Sequence, residues 1–135
     1  MNILHFATHD IAGGAAKASY RLHAALRSAG HSSRMIVRYK GSNDEDVQQV
    51  PVYVWRSCFR RVKCHIPLLR GPTATYMFNL DIEPPVDTRL FYAHQPGDVD
   101  IICLHWITGL LTVRTIRKIY DHYQCPLIWT LKDSL

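Results

Sequence analysis

Few side chains in this sequence are of types, and at spacings, suited to chemistry. Gly13 and Gly14 stand side by side and are followed by the small residues Ala15, Ala16 and Ala18. His105 and Trp106 follow the apolar run Ile101–Leu104, and Lys132 and Asp133 follow a second run, Leu127–Leu131. Glycines ahead of a helix remove the Cβ atoms that keep a phosphate or a sugar ring away from unpartnered backbone N–H groups. The helix N-terminus also carries roughly half a positive charge there. A glycine pair equally serves a tight turn that lets a helix pack on the preceding strand. His105 reads either as a ligand-facing group or as a satisfied histidine at a strand end. Trp106 reads as packing before it reads as a stacking platform.

Other chemistries lack their signatures. The glycines of Gly-x-Gly-x-x-Gly are missing, and the segment that should end in an acidic ribose ligand ends instead in Arg38-Tyr39-Lys40. NAD is therefore disfavoured, while NADP, which takes an arginine at that place, stays open. There is no Gly-x-x-x-x-Gly-Lys-Ser/Thr run. Cys58, Cys64, Cys103 and Cys125 form no C-x-x-C pair and no zinc spacing, so no metal site is expected. The remaining histidines (His5, His9, His23, His31, His65, His94 and His122) are scattered along the chain and read as structural.

The elements that must position these residues are legible in the apolar spacing. Ile3, Leu4, Phe6 and Ala7 form a short, nearly continuous run, as a strand buried on both faces of a parallel sheet does. From Ala15 the pattern turns helical, with Ala18, Leu22, Ala25, Leu26 and Ala29 on one face, Lys17, Arg21 and Arg27 turned away, and Gly30 as the stop. A second strand is expected over 33–39, a polar turn over 41–46, and a short extended piece over Val50–Val54 that Pro51 confines to an edge or loop. Trp55, Phe59, Val62, Ile66 and Leu69 recur at helical spacing among Arg56, Arg60, Arg61 and Lys63. That segment, 55–69, reads either as a helix at a membrane interface, with its basic groups on phosphate headgroups, or as an ordinary helix covering the sheet. Residues 71–98 lack periodicity and read as a functional or partner-covered loop.

Regular structure returns at Ile101–Leu104, a strand. Thr112 is placed to cap a helix with Val113, Ile116, Ile119 and Tyr120 inward and Arg114, Arg117 and Lys118 outward. Leu127–Leu131 is the next strand, completing a βαβ unit. The fold class is thus α/β: a Rossmann-like parallel sheet with flanking helices, one domain over 1–135, with an irregular insertion at about 41–98. In such sheets ligands collect beyond the carboxyl ends of the strands. The glycine turn, His105 with Trp106, and Lys132 with Asp133 should converge there.

Composition sets outer bounds. The 135 residues suffice for one domain with a real core, and 47% hydrophobic with 20% charged residues is a globular balance. The net charge of +5 favours phosphates or anionic lipid, but the basic residues are not clustered or interleaved with aromatics as in a nucleic-acid binder. No basic-then-apolar leader and no run of eighteen apolar residues is present. A cytoplasmic setting with reduced thiols is expected, with peripheral contact at the inner membrane face if 55–69 is interfacial.

Asn2-Ile-Leu-His5, Asp10-Ile-Ala-Gly-Gly-Ala-Ala-Lys-Ala-Ser-Tyr-Arg-Leu-His23, Asp100-Ile-Ile-Cys-Leu-His-Trp-Ile107 and Pro126-Leu-Ile-Trp-Thr-Leu131 together resemble the N-terminal domain of glycosyltransferase family 4. The similarity is to the bacterial branch that builds capsular and exopolysaccharides, and it covers both ends of the chain, with 41–98 matching poorly. The resemblance implies the acceptor-side half of a GT-B fold, the C-terminal donor domain being absent. The complete enzyme would move a hexose from a nucleotide-sugar to a lipid-linked or oligosaccharide acceptor without an obligatory metal. It implies that Gly13, Gly14 and Ala15 approach the donor diphosphate or sugar and that His105 and Trp106 sit at the cleft edge. The family's Trp-Thr-Leu-His-Asp is here Trp-Thr-Leu-Lys132-Asp133, so an imidazole is replaced by a flexible cation. A separately encoded donor domain is the implied partner of a truncated or split enzyme. The alternative is a non-catalytic module that binds a sugar, a phosphate or a partner protein. A sheet edge left bare by truncation would favour self-association.

Overall fold

The computed structural model describes residues 1–52, 83–84 and 86–131. In chain order these form β1 (Asn2–His9), α1 (Gly14–Ser28), β2 (Ser32–Tyr39), β3 (Val47–Gln49), a 3-10 turn (Thr88–Tyr92), β4 (Ile101–Leu104), α2 (Val113–Tyr123) and β5 (Leu127–Trp129). The strands make one sheet in the order β3-β2-β1-β4-β5, and every pairing is parallel. This is the order of a doubly wound sheet, consistent with the Rossmann-like class. The chain steps one way from β1 through β2 to β3 and the other way from β4 to β5, so the order reverses between β1 and β4.

Strand alternation sends neighbouring side chains to opposite faces. Leu4 and Phe6 of β1, Ile36 of β2, and Ile102 and Leu104 of β4 join Phe91, Leu110, Leu111, Ile119 and Tyr123 in the main apolar core under α2. Ala7, Met35, Val37 and Val47 form a smaller cluster on the other face, with Tyr20 of α1 packed against it. Thr112 caps α2 as expected, its hydroxyl accepting from Thr115 N at 3.1 Å.

Several sequence expectations are corrected. The buried side of α1 is Ala16, Ser19 and His23, while Leu22 is 40% exposed and Ala18, Ala25 and Ala29 are also exposed. Two of these three buried residues are polar, and His23 Nδ1 pairs with Ser33 Oγ of β2 at 2.7 Å. In α2 the buried residues are Thr115, Ile119 and Tyr123, whereas Val113 and Tyr120 face solvent. The third strand is Val47–Gln49 rather than Val50–Val54; Val52 instead forms an isolated antiparallel bridge with Val86. The end of the irregular stretch belongs to the core: Phe91 is fully buried edge-on to Phe6 at 5.5 Å, and its carbonyl accepts from the Tyr123 hydroxyl at 2.8 Å. The expected helix over 55–69 lies outside the described residues. Among the described residues no helix is long and apolar enough to cross a membrane.

Candidate functional site

Three loops meet at the carboxyl rim of the sheet, and hydrogen bonds fix their mutual positions. The carboxyl end of β1 is tied to the β4–α2 loop by Thr8 N donating to Trp106 O at 2.7 Å and Thr8 Oγ1 donating to Thr108 O at 2.8 Å. On its other side, the buried Asp10 carboxylate accepts from Gly41 N and Ser42 N of the β2–β3 loop and from Ile11 N, each at 2.8 Å. Burial pushes the Asp10 carboxyl up, but hydrogen bonding from Ser42, Gly41 and Ile11 outweighs it and holds it below the usual carboxylate range.

The β1–α1 loop between these ties is exposed from Ile11 to Gly14. Gly13 is the N-cap residue at φ 91°, a conformation that side chains other than glycine's strain to adopt. No side chain caps α1, and its first turn contains no acidic residue. A Cβ at Gly14 would meet no atom within 4 Å, so packing does not demand glycine there. The first-turn N–H groups therefore form an open, electropositive end suited to an anionic or hydroxyl-rich ligand. Ala15 follows, half-buried.

His105 and Trp106 come off β4 beside this end, with His105 N donating to Phe6 O of β1 at 3.0 Å. The structure thus brings Gly13, Gly14, Ala15, His105 and Trp106 to the same rim, at the point where the strand order reverses. The side chains of the last two differ. Trp106 is 36% exposed, but the His105 ring is only 1% exposed and lies parallel to His5, Nε2 to Nδ1 at 2.9 Å. Lys132 and Asp133 lie outside the described residues.

Two of the histidines that read as scattered lie together in the fold. His5 and His23 are both 0% exposed, with ring centroids 5.8 Å apart, and His23 Nδ1 pairs with Ser33 Oγ at 2.7 Å. The sequence did carry a signal: His5 alternates with the buried Ile3 and Ala7 in β1, and His23 falls four residues after Ser19 in α1.

The basic end of β2 is turned inward. Arg38 Nη1 donates to Gly109 O at 2.6 Å, bracing the β4–α2 loop, and Lys40 Nζ donates to Asp44 O at 2.6 Å. Cys103 and Cys125 are free and buried, and burial pushes both thiols up. Among the described residues no cluster of three or more His, Cys, Asp or Glu could hold a metal. A polar cavity of about 220 Å³, lined by Ser32, Arg34, His94 and Asp98, sits at the opposite, amino edge of the sheet and shares no residue with the rim.

No family model, curated protein or solved structure matches the chain. The fold and the rim define a class: a parallel α/β sheet domain of Rossmann-like type with an open helix N-terminus beside its topological switch point.

Proposed function

We propose that this chain is the acceptor-side domain of a GT-B glycosyltransferase. The complete enzyme would transfer a hexose from a nucleotide-sugar to a lipid-linked or oligosaccharide acceptor in polysaccharide synthesis. The observation that carries this reading is the uncapped N-terminus of α1 at Gly13–Gly14, which flanks the strand-order reversal between β1 and β4. Ligands of open parallel sheets bind at that place, and a leaving diphosphate gains from preorganised N–H donors. The sequence resemblance supplies the sugar chemistry. A donor domain would be contributed by a partner chain or by further sequence.

A second reading has its own support. The His105 imidazole is buried and hydrogen-bonded to His5, so it offers little to a ligand at the rim. A domain that binds a sugar or phosphate without catalysing transfer needs only the backbone donors and the exposed Trp106.

Titration calorimetry with UDP and with GDP tests the first reading. Binding in the micromolar to millimolar range is expected, and Gly14→Val should weaken it at least tenfold without loss of fold, because the space around Gly14 is open. Absence of nucleotide binding up to several millimolar, alone and with a donor-domain partner, would remove the transferase reading. Oligosaccharide binding combined with no detectable nucleotide binding, alone and with a donor-domain partner, would favour the second.

A further inference from the structure

Three imidazoles buried where a helix packs on a sheet are not needed to build a Rossmann-like domain. We propose that His5, His23 and His105 form a proton-operated latch: α1 docks on the sheet while they are neutral, and mild acid releases it.

The geometry limits how many protons the cluster can hold. The 2.9 Å contact between His5 Nδ1 and His105 Nε2 requires one N–H and one lone pair. Protons on both facing nitrogens would set two N–H groups against each other. His23 is 5.8 Å from His5, close enough for two buried imidazolium charges to repel strongly. Groups facing the cluster include Cys103 from β4, Ser33 from β2, Tyr20 and Arg27 from α1, and Asp44 and Asp46 from the β2–β3 loop. Asp44 lies 3.7 Å from His23 Nε2 and would favour its charged form. That carboxylate already accepts from the Arg27 guanidinium at 2.9 Å and the Tyr20 hydroxyl at 3.0 Å. Burial prevails over Asp44, and the His23 imidazole is held below its ordinary value.

An opened α1 exposes His23 and uncovers the His5–His105 pair, which stays in contact on the sheet and takes one proton between its two rings, so the open state binds up to two more protons than the docked one. Docking is then at full strength above the ordinary imidazole value of about 6.5 and weakens as pH falls below it, by up to tenfold per pH unit for each proton taken up on opening. The helix carries Gly13 and Gly14 at its first turn, so its release dismantles the electropositive rim.

Hydrogen exchange of the α1 amides, corrected for the intrinsic pH dependence of exchange and measured from pH 7.5 to 5.0, reads the opening constant directly. His94 is also held low, by burial and by Arg34, so the series is run in a His94→Gln background. The expected result is a flat profile above pH 7 and a rise approaching about 100-fold per pH unit below pH 6, corresponding to two protons. His23→Gln, whose amide can still reach Ser33, should lower that slope to about tenfold per unit. A rise of less than tenfold across the whole range would overturn the proposal. So would an unchanged slope in both His23→Gln and His105→Gln. If neither variant folds, the slope in the His94→Gln background decides alone.

Discussion

On one face of the sheet, Leu4, Phe6, Ile36, Ile102 and Leu104 pack against Phe91, Ile119 and Tyr123 in a continuous apolar core. On the other face, α1 meets the sheet through His5, His23 and Ser33, and is tied at its flank by Tyr20 and Arg27 to Asp44. Among the described residues, the apolar cluster there is the smaller one of Ala7, Met35, Val37 and Val47, with Tyr20 of α1 packed against it. The first face is held by burial, which is nearly independent of pH; the second by hydrogen bonds and charges, whose strength depends on protonation. The rim lies between them. Its helix N-terminus belongs to the conditional face and its β4–α2 loop to the permanent one.

The sharpest way to break the comparison is to excavate the apolar face. Phe91→Ala should cost about 3–5 kcal/mol, the usual range for removing a fully buried phenylalanine. Urea unfolding at pH 7.5 measures it. A loss below about 1 kcal/mol would mean that the 3-10 segment is dispensable and that the core under α2 does not carry the fold.

The polar side yields a smaller effect with a pH signature. Asp10→Asn removes a charged acceptor from three backbone donors and should cost about 2 kcal/mol at pH 7. The folded carboxyl is held below its unfolded value, so its contribution is complete above the ordinary carboxylate pKa of about 3.9 and fades as pH falls through the lower folded value. The stability gap between wild type and variant should hold constant from pH 7 to 5 and start to close only near pH 4. A gap closing between pH 7 and 5, the range of the histidines, would show that Asp10 is coupled to them.

What the sequence could convey follows the same division. β1, β4 and the Thr112-capped α2 were legible because continuous apolar runs and a cap residue are local signals. β3 was not, since Val47 is its single buried side chain and Gln48 and Gln49 face solvent at the sheet edge. Phe91 sits in a segment without period, where only the tertiary fold supplies a partner. The convergence of Gly13 with His105 at one rim was readable from strand ends, because all strands of a parallel sheet finish on the same side. The inward turn of the His105 ring was not, because it depends on His5 a hundred residues earlier. The rotation of α1 is hidden for a related reason: apolar spacing counts Leu22 and Ala25, while the buried line runs through Ala16, Ser19 and His23.

The exposed stripe of α1 offers the smallest effect and the most discriminating substitution. Leu22 is 40% exposed on a helix whose buried line runs through Ala16, Ser19 and His23. Leu22→Lys should therefore change stability by no more than about 0.5 kcal/mol, as surface substitutions generally do, since lysine and leucine have similar helix propensity. Were Leu22 on the docked face, as its spacing suggests, a buried ammonium there would cost several kilocalories per mole. Urea unfolding at pH 7.5 separates the two outcomes. A large loss would mean that α1 docks through its apolar stripe, and the contrast between a permanent and a conditional face would fall with it.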